Sequence, residues 1–206
     1  MKKLVLTVAA LFVAIVSFGQ VQWGIIAGPN FSAFKYRDFI DGNSKRNSSI
    51  LTTFRGGVTV DIPLTDECGI GTGLLYEGKG GKFKDTDTKA LLSYLQLPVT
   101  FQFSPEVGNG RIVLGVGPYF ALGVGGNYKN TINGNVGAFD NAAGVYQLKR
   151  FDFGGTLNIG YQLPMGLYFG LNGDVSFLNS AKYTDNDRKF NNGTFGVSVG
   201  YKFHSR

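Results

Sequence analysis

Few side chains in this sequence are suited to catalysis or to metal binding. The chain has 206 residues but only one histidine, His204, and only one cysteine, Cys68. A hydrolytic triad uses a histidine as its general base, and a zinc site needs several histidine or cysteine ligands. His204 follows the last predicted strand, at the end opposite to the long polar connections. The sequence therefore predicts no histidine-dependent hydrolase site among those connections and no His/Cys metal centre.

Two pairs of acidic residues are candidates for binding a divalent cation. Asp85 and Asp87 lie in "DTDT", and Asp185 and Asp187 lie in "DNDR". Neither pair has the glycine and the terminal glutamate of a calcium-binding loop. We expect solvated loop charges at both places, with cation binding as the alternative.

Three glycine-rich runs resemble phosphate-binding loops only in part. "GIGTGL" (69–74) and "GVGPYF" (115–120) lack the third glycine of the dinucleotide fingerprint, and neither begins a helix. "GKGGKF" (78–83) ends in phenylalanine where a phosphate loop needs serine or threonine. We interpret all three runs as strand or turn glycines, so the sequence predicts no cofactor.

Six charged side chains alternate with bulky apolar residues and are expected on one common face. They are Arg55, Asp61, Glu77, Asp152, Asp174 and Lys202. On the inner face of a barrel they would form a conduction path, a catalytic cluster or a network of paired charges. Eight strands leave a bore just wide enough for side chains, and unpaired charges inside it would be costly. The favoured interpretation is a paired polar network that fills the lumen.

The elements that position these residues are strands, because apolar residues recur with period two and no useful amphipathic helix follows the first residues. "GTFGVSVGYKF" (193–203) places Phe195, Val197 and Val199 on one face and small or polar residues on the other. Eight such segments are expected, at about 22–34, 53–62, 69–80, 91–103, 111–124, 151–163, 167–178 and 193–203.

The connections between these segments alternate in length. Short turns lie at 63–68, 104–109 and 164–166, and long polar connections lie near 35–52, 79–90, 125–150 and 179–192. Short periplasmic turns alternating with long external loops are typical of outer-membrane barrels, which also have an even number of strands.

The composition of the polar face favours a membrane barrel over a soluble barrel or sandwich. A water-exposed face should be rich in charged residues, whereas this face is mostly Gly, Ser, Thr, Asn and Gln. Charged residues make up 17% of the chain, against roughly 25% in ordinary soluble domains. We predict an all-β protein: an eight-stranded, antiparallel, up-and-down transmembrane β-barrel that is integral to the outer membrane. Its last strand must pair with its first, because open edges cannot exist in lipid.

The start of the chain is typical of a secretory signal peptide. Lys2 and Lys3 precede an apolar stretch, and Ser17 and Gly19 supply the small residues of a cleavage site. We expect residues 1–19 to be the signal peptide and residues 20–206 to be the outer-membrane β-barrel domain. The net charge is +6 and falls to +4 without the two lysines. No basic stripe accompanies this charge, so nucleic acid is not an expected partner.

Three prolines fall inside predicted strands. Pro29, Pro98 and Pro118 each lack the N–H that a strand donates to its neighbour, and a closed barrel has no edge strand to accommodate them. We therefore expect bulges or irregular pairing near Pro98 and Pro118.

Several stretches together resemble the PorT-like family of outer-membrane β-barrels. They are "WGIIAGPNFS" (23–32), "GVTVDIPLTDECGIGTGLLYEGKG" (57–80), "YLQLPVTFQF" (94–103), "GVGPYFALG" (115–123) and "GVSVGYKF" (196–203). The resemblance implies an eight-stranded barrel with an aromatic assembly signal, here Tyr201 and Phe203, that the barrel assembly machinery reads. This chain departs from the family pattern at Pro29 and by continuing three residues past the final aromatic. Some relatives are associated with protein secretion across the outer membrane.

These observations predict a non-enzymatic barrel with a structural, adhesive or secretion-accessory role, and its external loops as the interaction surface. A narrow channel for small solutes is the first alternative, and a lipid-active barrel enzyme is the second. The expected partners are outer-membrane lipid and lipopolysaccharide, the barrel assembly machinery, and a protein at the external loops or periplasmic turns.

Overall fold

A computed structural model of the chain describes residues 21–37, 45–84, 88–130, 134–184 and 188–203. The predicted signal peptide, His204 and both acidic pairs lie outside these ranges.

The described residues are almost entirely β-structure, with one short 3-10 helix at Asn141–Tyr146. The strands are β1 (Gln22–Arg37), β2 (Lys45–Asn47), β3 (Leu51–Pro63), β4 (Cys68–Lys82), β5 (Lys89–Phe103), β6 (Glu106–Val107), β7 (Gly110–Asn130), β8 (Gly134–Gly137), β9 (Phe151–Gln162), β10 (Leu167–Ser176) and β11 (Phe190–Lys202). Among the described residues, no helix has the length and hydropathy needed to cross a membrane.

Eight long strands of the described chain form one closed antiparallel barrel. Each pairs with the next in the order β1, β3, β4, β5, β7, β9, β10 and β11. β11 then pairs with β1 from Gly24↔Lys202 to Tyr36↔Phe190, which closes the barrel. The predicted eight-stranded barrel and its seam between the last and first strands are confirmed.

The strands extend further at the external end than the sequence predicts. The connection expected at 79–90 shrinks to the residues between Lys82 and Lys89, and β7 continues to Asn130. β2 and β8 are short additions at that end, paired with β1 and β7 respectively. The polar composition of these segments concealed their strand character, because solvent-exposed strand ends carry no apolar alternation.

The predicted alternation of faces is confirmed throughout the barrel. In β11, Val197 and Val199 are exposed on the outer surface, whereas Ser198 is buried in the lumen. In β5, Leu95, Leu97 and the outward residues that follow are likewise exposed, and the residues between them are mostly buried. The outer surface is therefore an apolar band of the kind that contacts lipid.

The expectation of bulges or irregular pairing near Pro98 and Pro118 is confirmed, and the irregularity is a gap in the pairing at each proline. The pairing of β4 with β5 stops at Thr72↔Val99 and resumes at Leu75↔Gln96 in the same register. Pro98 lies in this gap because it has no N–H to donate towards β4. The hydroxyl of Thr72 instead donates to the Pro98 carbonyl at 2.8 Å.

The same local gap occurs at the other two strand prolines. β1 and β11 skip from Ala27↔Val199 to Asn30↔Gly196 around Pro29. β5 and β7 skip in the same way opposite Pro118, again without a change of register. The only register shift between β5 and β7 lies between Ser93 and Tyr94. A missing donor thus costs local hydrogen bonds but does not displace the strand.

The external half of the barrel interior is aromatic, which the sequence analysis did not predict. Its buried cluster comprises Phe34, Tyr36, Ala90, Leu92, Tyr94, Tyr119, Ala121, Ala138, Phe139, Leu148, Ala181 and Phe190. Phe34 stacks on Phe190 with ring centroids 4.3 Å apart, across the seam between β1 and β11. Ala138, Phe139, Leu148 and Ala181 lie outside the eight barrel strands. Parts of the long connections are therefore core, rather than the wholly polar loops expected.

The register of β11 can be tested by cysteine labelling in intact membranes. In a Cys68→Ser background, single cysteines at 197 and 199 should react with a lipid-soluble maleimide, because these side chains face the membrane. A cysteine at 198 faces the lumen and should be spared. The reverse pattern would shift the register by one residue, and equal labelling of all three by a water-soluble reagent would rule out a membrane strand.

Candidate functional site: the polar lumen

All six predicted lumen residues point into the barrel. Arg55, Glu77, Asp152, Asp174 and Lys202 are each at least nine-tenths buried, and the side chain of Asp61 is 18% exposed. They come from strands β3, β4, β9, β10 and β11, so the ring of strands positions them around one bore.

The central ion pair of the lumen joins two neighbouring strands. Arg55 and Glu77 are direct cross-strand partners, and the guanidinium Nη1 lies 3.2 Å from the carboxylate Oε1. Asn30 of β1 donates to the other carboxylate oxygen of Glu77 at 3.1 Å. Both charged side chains are almost inaccessible to solvent, so each compensates the desolvation of the other.

The outer ion pair uses a lysine that the sequence analysis missed. Lys79 is 1% exposed, and its Nζ lies 3.0 Å from Oδ2 of Asp152. The hydroxyls of Tyr119 and Ser176 also donate to this carboxylate, at 3.1 and 2.5 Å. The ammonium lies 4.2 Å from the Tyr119 ring centroid, within cation–π range.

A signal for Lys79 is present in the sequence. It lies two residues beyond Glu77, so the alternation of β4 carries it to the lumen face. Residue 79 belongs both to the strand expected at 69–80 and to the connection expected near 79–90, and Lys79 was not counted among the lumen residues.

Asp174 is held by neutral groups. Gln96 donates to its Oδ2 at 2.9 Å, and Thr194 donates to the same oxygen at 3.4 Å. The carboxylate is 2% exposed, and its other oxygen accepts no hydrogen bond within the described part of the chain. The six predicted residues therefore share one bore, but Asp152 pairs with Lys79, which is not one of the six, and Asp174 forms no ion pair with another of them.

The third ion pair lies near the periplasmic end of the bore. Lys202 of β11 pairs with Asp61 of β3 and also donates to Thr59 at 3.0 Å. Gln102 donates to the second oxygen of Asp61 at 3.0 Å. The ammonium of Lys202 lies 5.5 Å from the centroid of the Tyr168 ring.

A polar vestibule of about 840 Å³ opens at the periplasmic end. Asp61, Gln102 and Arg111 contribute to its lining, together with the turn that follows β3. Gln162 donates to Gln22 at 3.3 Å on the same side of the barrel. Above the vestibule, the buried ion pairs and then the aromatic cluster occupy the bore. The lumen is therefore open towards the periplasm and filled further out.

The described residues contain no group of three or more His, Cys, Asp or Glu side chains that could hold a metal ion. Cys68, at the start of β4, is a partly exposed free thiol. The run "GKGGKF" lies mostly in β4, where Gly80 has a φ of +133°. A side chain at Gly80 would collide with the carbonyl of Ala90 on β5, so this glycine has a structural role.

The two residues of the predicted assembly signal lie at the periplasmic end of β11. Tyr201 and Phe203 both point outward and are 40% and 46% exposed. Their rings meet edge to face, with centroids 5.3 Å apart. The amide of Phe203 donates to the carbonyl of Trp23 at 2.7 Å, so the seam continues to this residue.

The closed barrel, its apolar outer band and its polar lumen define an integral β-barrel protein of the outer membrane. Residues 17–183 match the family described as outer membrane protein beta-barrel domain. The chain belongs to this family, and its outer surface accordingly contacts outer-membrane lipid.

Solved structures with a similar fold include bacterial surface proteins and an enzyme. Ail, the attachment invasion locus protein of Yersinia pestis, is 11% identical, with a TM-score of 0.45 over 88% of this chain and 98% of Ail. Neisserial surface protein A is 10% identical, with a TM-score of 0.47 over 89% and 97%. The outer membrane enzyme PagL is 18% identical, with a TM-score of 0.43 over 85% and 99%. Similarity at this level concerns the fold alone. No curated protein matches the sequence.

Removal of Lys79 tests the outer ion pair. Lys79→Met leaves Asp152 buried without its cation, and we expect the free energy of unfolding to fall by about 3–5 kcal/mol. The measurement is urea unfolding of the barrel in detergent micelles. Lys84→Met is the matched control, because Lys84 is exposed, and its stability should change by less than about 0.5 kcal/mol.

The double variant Lys79→Met/Asp152→Asn should regain more than half of the lost stability, since it also removes the uncompensated charge. A Lys79→Met protein as stable as wild type would contradict the pairing described for the lumen.

Proposed function

We propose that this chain is a non-enzymatic, non-conducting outer-membrane barrel that acts through its external end, in a structural, adhesive or secretion-accessory role. The observation that carries the proposal is that residues from the external connections pack into the same core that closes the bore. The described residues of the external end thus form a packed surface on a plugged barrel.

The described part of the external surface is held together by hydrogen bonds within one connection and between two connections. The amide of Leu148 donates to the carbonyl of Ala138 at 2.8 Å, and Lys182 donates its amide to Gln147 at 2.9 Å. Phe139 meets the lumen residue Tyr94 edge to face, with centroids 5.8 Å apart. A surface fixed in this way loses little conformational entropy on binding, which favours recognition of a partner.

A narrow channel for small solutes is the alternative that one observation favours. The vestibule of about 840 Å³ gives small solutes access from the periplasm to Asp61. The ion pairs of Glu77 and Asp152 lie beyond it, and both carboxylates are fully buried. Conduction would require these pairs to separate inside a narrow bore. The proposal therefore favours a plug over a channel, and conductance distinguishes the two.

The non-enzymatic part of the proposal rests on the residue inventory. A lipid-active barrel enzyme with a histidine base would need a histidine at the external end. The sequence contains only His204, which follows the periplasmic end of β11. An enzyme of this class would therefore need a different base.

We also propose that the chain is a PorT-like member of its family and is inserted by the barrel assembly machinery. The motifs quoted above support this, and the outward rings of Tyr201 and Phe203 at the end of the seam suit an assembly signal. A role as a secretion accessory would add a protein partner at the external surface or at the periplasmic turns.

Site-specific photocrosslinking in the native membrane tests where partners bind. Reactive side chains at Tyr146 and Tyr183, both exposed beyond the external ends of the strands, should capture a discrete partner. The matched positions are Val107 and Met165, which are exposed in the periplasmic turns. We expect capture to be stronger from the external pair. Capture from the periplasmic pair alone would contradict the external surface as the site of action.

A further inference from the structure

Three lysines form a continuous row across the external ends of three neighbouring strands. Lys82 of β4 is the direct cross-strand partner of Lys89 of β5. Lys89 is in turn the partner of Lys129 of β7. Directly paired residues share a face of the sheet, and all three lysines are exposed. We call Lys82, Lys89 and Lys129 the lysine row.

Like charges directly opposite each other on a sheet repel, because their Cβ atoms are only about 4.5–5.5 Å apart. In the described part of the chain, the ion pairs involve Arg55, Lys79, Arg111, Arg150 and Lys202, and none involves a member of the row. The repulsion is therefore left uncompensated by the described residues, and an external anion would relieve it.

The position of the row relative to the membrane indicates where this anion lies. The apolar band ends near the paired row Tyr76, Leu95 and Leu122, whose members face outward. The hydroxyl of Tyr76 bonds to Ser93, one row further out, at 2.8 Å. The lysine row is three such rows beyond Tyr76, which is roughly 15 Å along the barrel axis for tilted strands.

The headgroup region adds about 5–8 Å to each side of the hydrocarbon core, so the lysine row lies just beyond the headgroup layer of the outer leaflet. Lysine side chains are long enough to bend towards that layer while their stems stay along the barrel wall. Lysine binds phosphate as a compact point charge, and three lysines in line match an array of phosphorylated headgroups.

We propose that Lys82, Lys89 and Lys129 bind the phosphate groups of lipopolysaccharide in the outer leaflet. The site is a ridge on the barrel wall, and its ligand is a membrane-anchored phosphorylated sugar. Phosphate oxygens that bridge adjacent ammonium groups remove the repulsion within the row. This places one side of the barrel, the β4–β5–β7 side, against tightly held lipid.

Binding of lipid A by the purified barrel in nonionic detergent, at low salt and with EDTA, tests the proposal. The probes are bisphosphorylated lipid A and the same lipid without its phosphates. The triple variant Lys82→Gln/Lys89→Gln/Lys129→Gln should bind the phosphorylated probe about 100-fold more weakly, since each lysine near an anionic headgroup contributes about fivefold. Wild type should bind the dephosphorylated probe as weakly as the triple variant binds the phosphorylated one.

The matched control is Lys35→Gln/Lys149→Gln/Lys182→Gln, which removes three exposed lysines from the same end of the barrel. It should keep its affinity within about threefold. A loss as large as that of the row variant would assign binding to overall charge and overturn the site. Unchanged migration of unboiled samples in SDS gels shows that each variant is folded.

Two further results would overturn the proposal. If wild type bound the dephosphorylated probe as tightly as the phosphorylated one, phosphate would not be the ligand. Equal affinity for the phosphorylated disaccharide without acyl chains would assign the row to soluble anions. Asp85→Asn/Asp87→Asn should bind like wild type, because EDTA removes the divalent cations through which an acidic pair could hold lipid.

Discussion

The structure depends on one constraint: in lipid and in a narrow bore, polar groups must find partners within the protein. Unpaired backbone groups in hydrocarbon each cost several kcal/mol, and the pairing of β11 with β1 removes the two edges that an open sheet would leave. The same constraint operates inside, where Glu77 and Asp152 are inaccessible to water and each is held by a cation. The strand prolines show how local its effect is, since the Thr72 hydroxyl donates to the Pro98 carbonyl within the gap in the pairing.

Much of this fold follows from the sequence, because successive residues of a barrel strand face the lipid and the lumen in turn. Alternation predicted the eight barrel strands and the inward direction of Arg55, Glu77 and Asp174. The contrast between short and long connections predicted which end faces the periplasm. Both signals are local, so a single sequence contains them in full.

Contacts across the bore join residues that are far apart in the sequence, so the local pattern does not predict which side chains pair. Alternation places Asp152 in the lumen, but Lys79, its partner, lies 73 positions earlier in the chain. The two meet only because β4 and β9 lie on the same bore. The aromatic core was missed for a related reason. The alternation places Tyr94 and Tyr119 on the inward face, but large aromatic residues are equally compatible with the lipid face, so their type did not indicate a core. Phe139 lies in a connection, where no periodicity indicates burial.

The lumen is closed by its own paired charges. Planar-bilayer recording of the purified wild-type barrel tests this most directly, with a 16-stranded porin under the same conditions as the conducting reference. Because Arg55–Glu77 and Lys79–Asp152 fill the bore beneath the aromatic cluster, no large, stable conductance steps should be seen. Stable steps of porin size from the folded wild-type barrel would contradict the plugged lumen and support the channel instead.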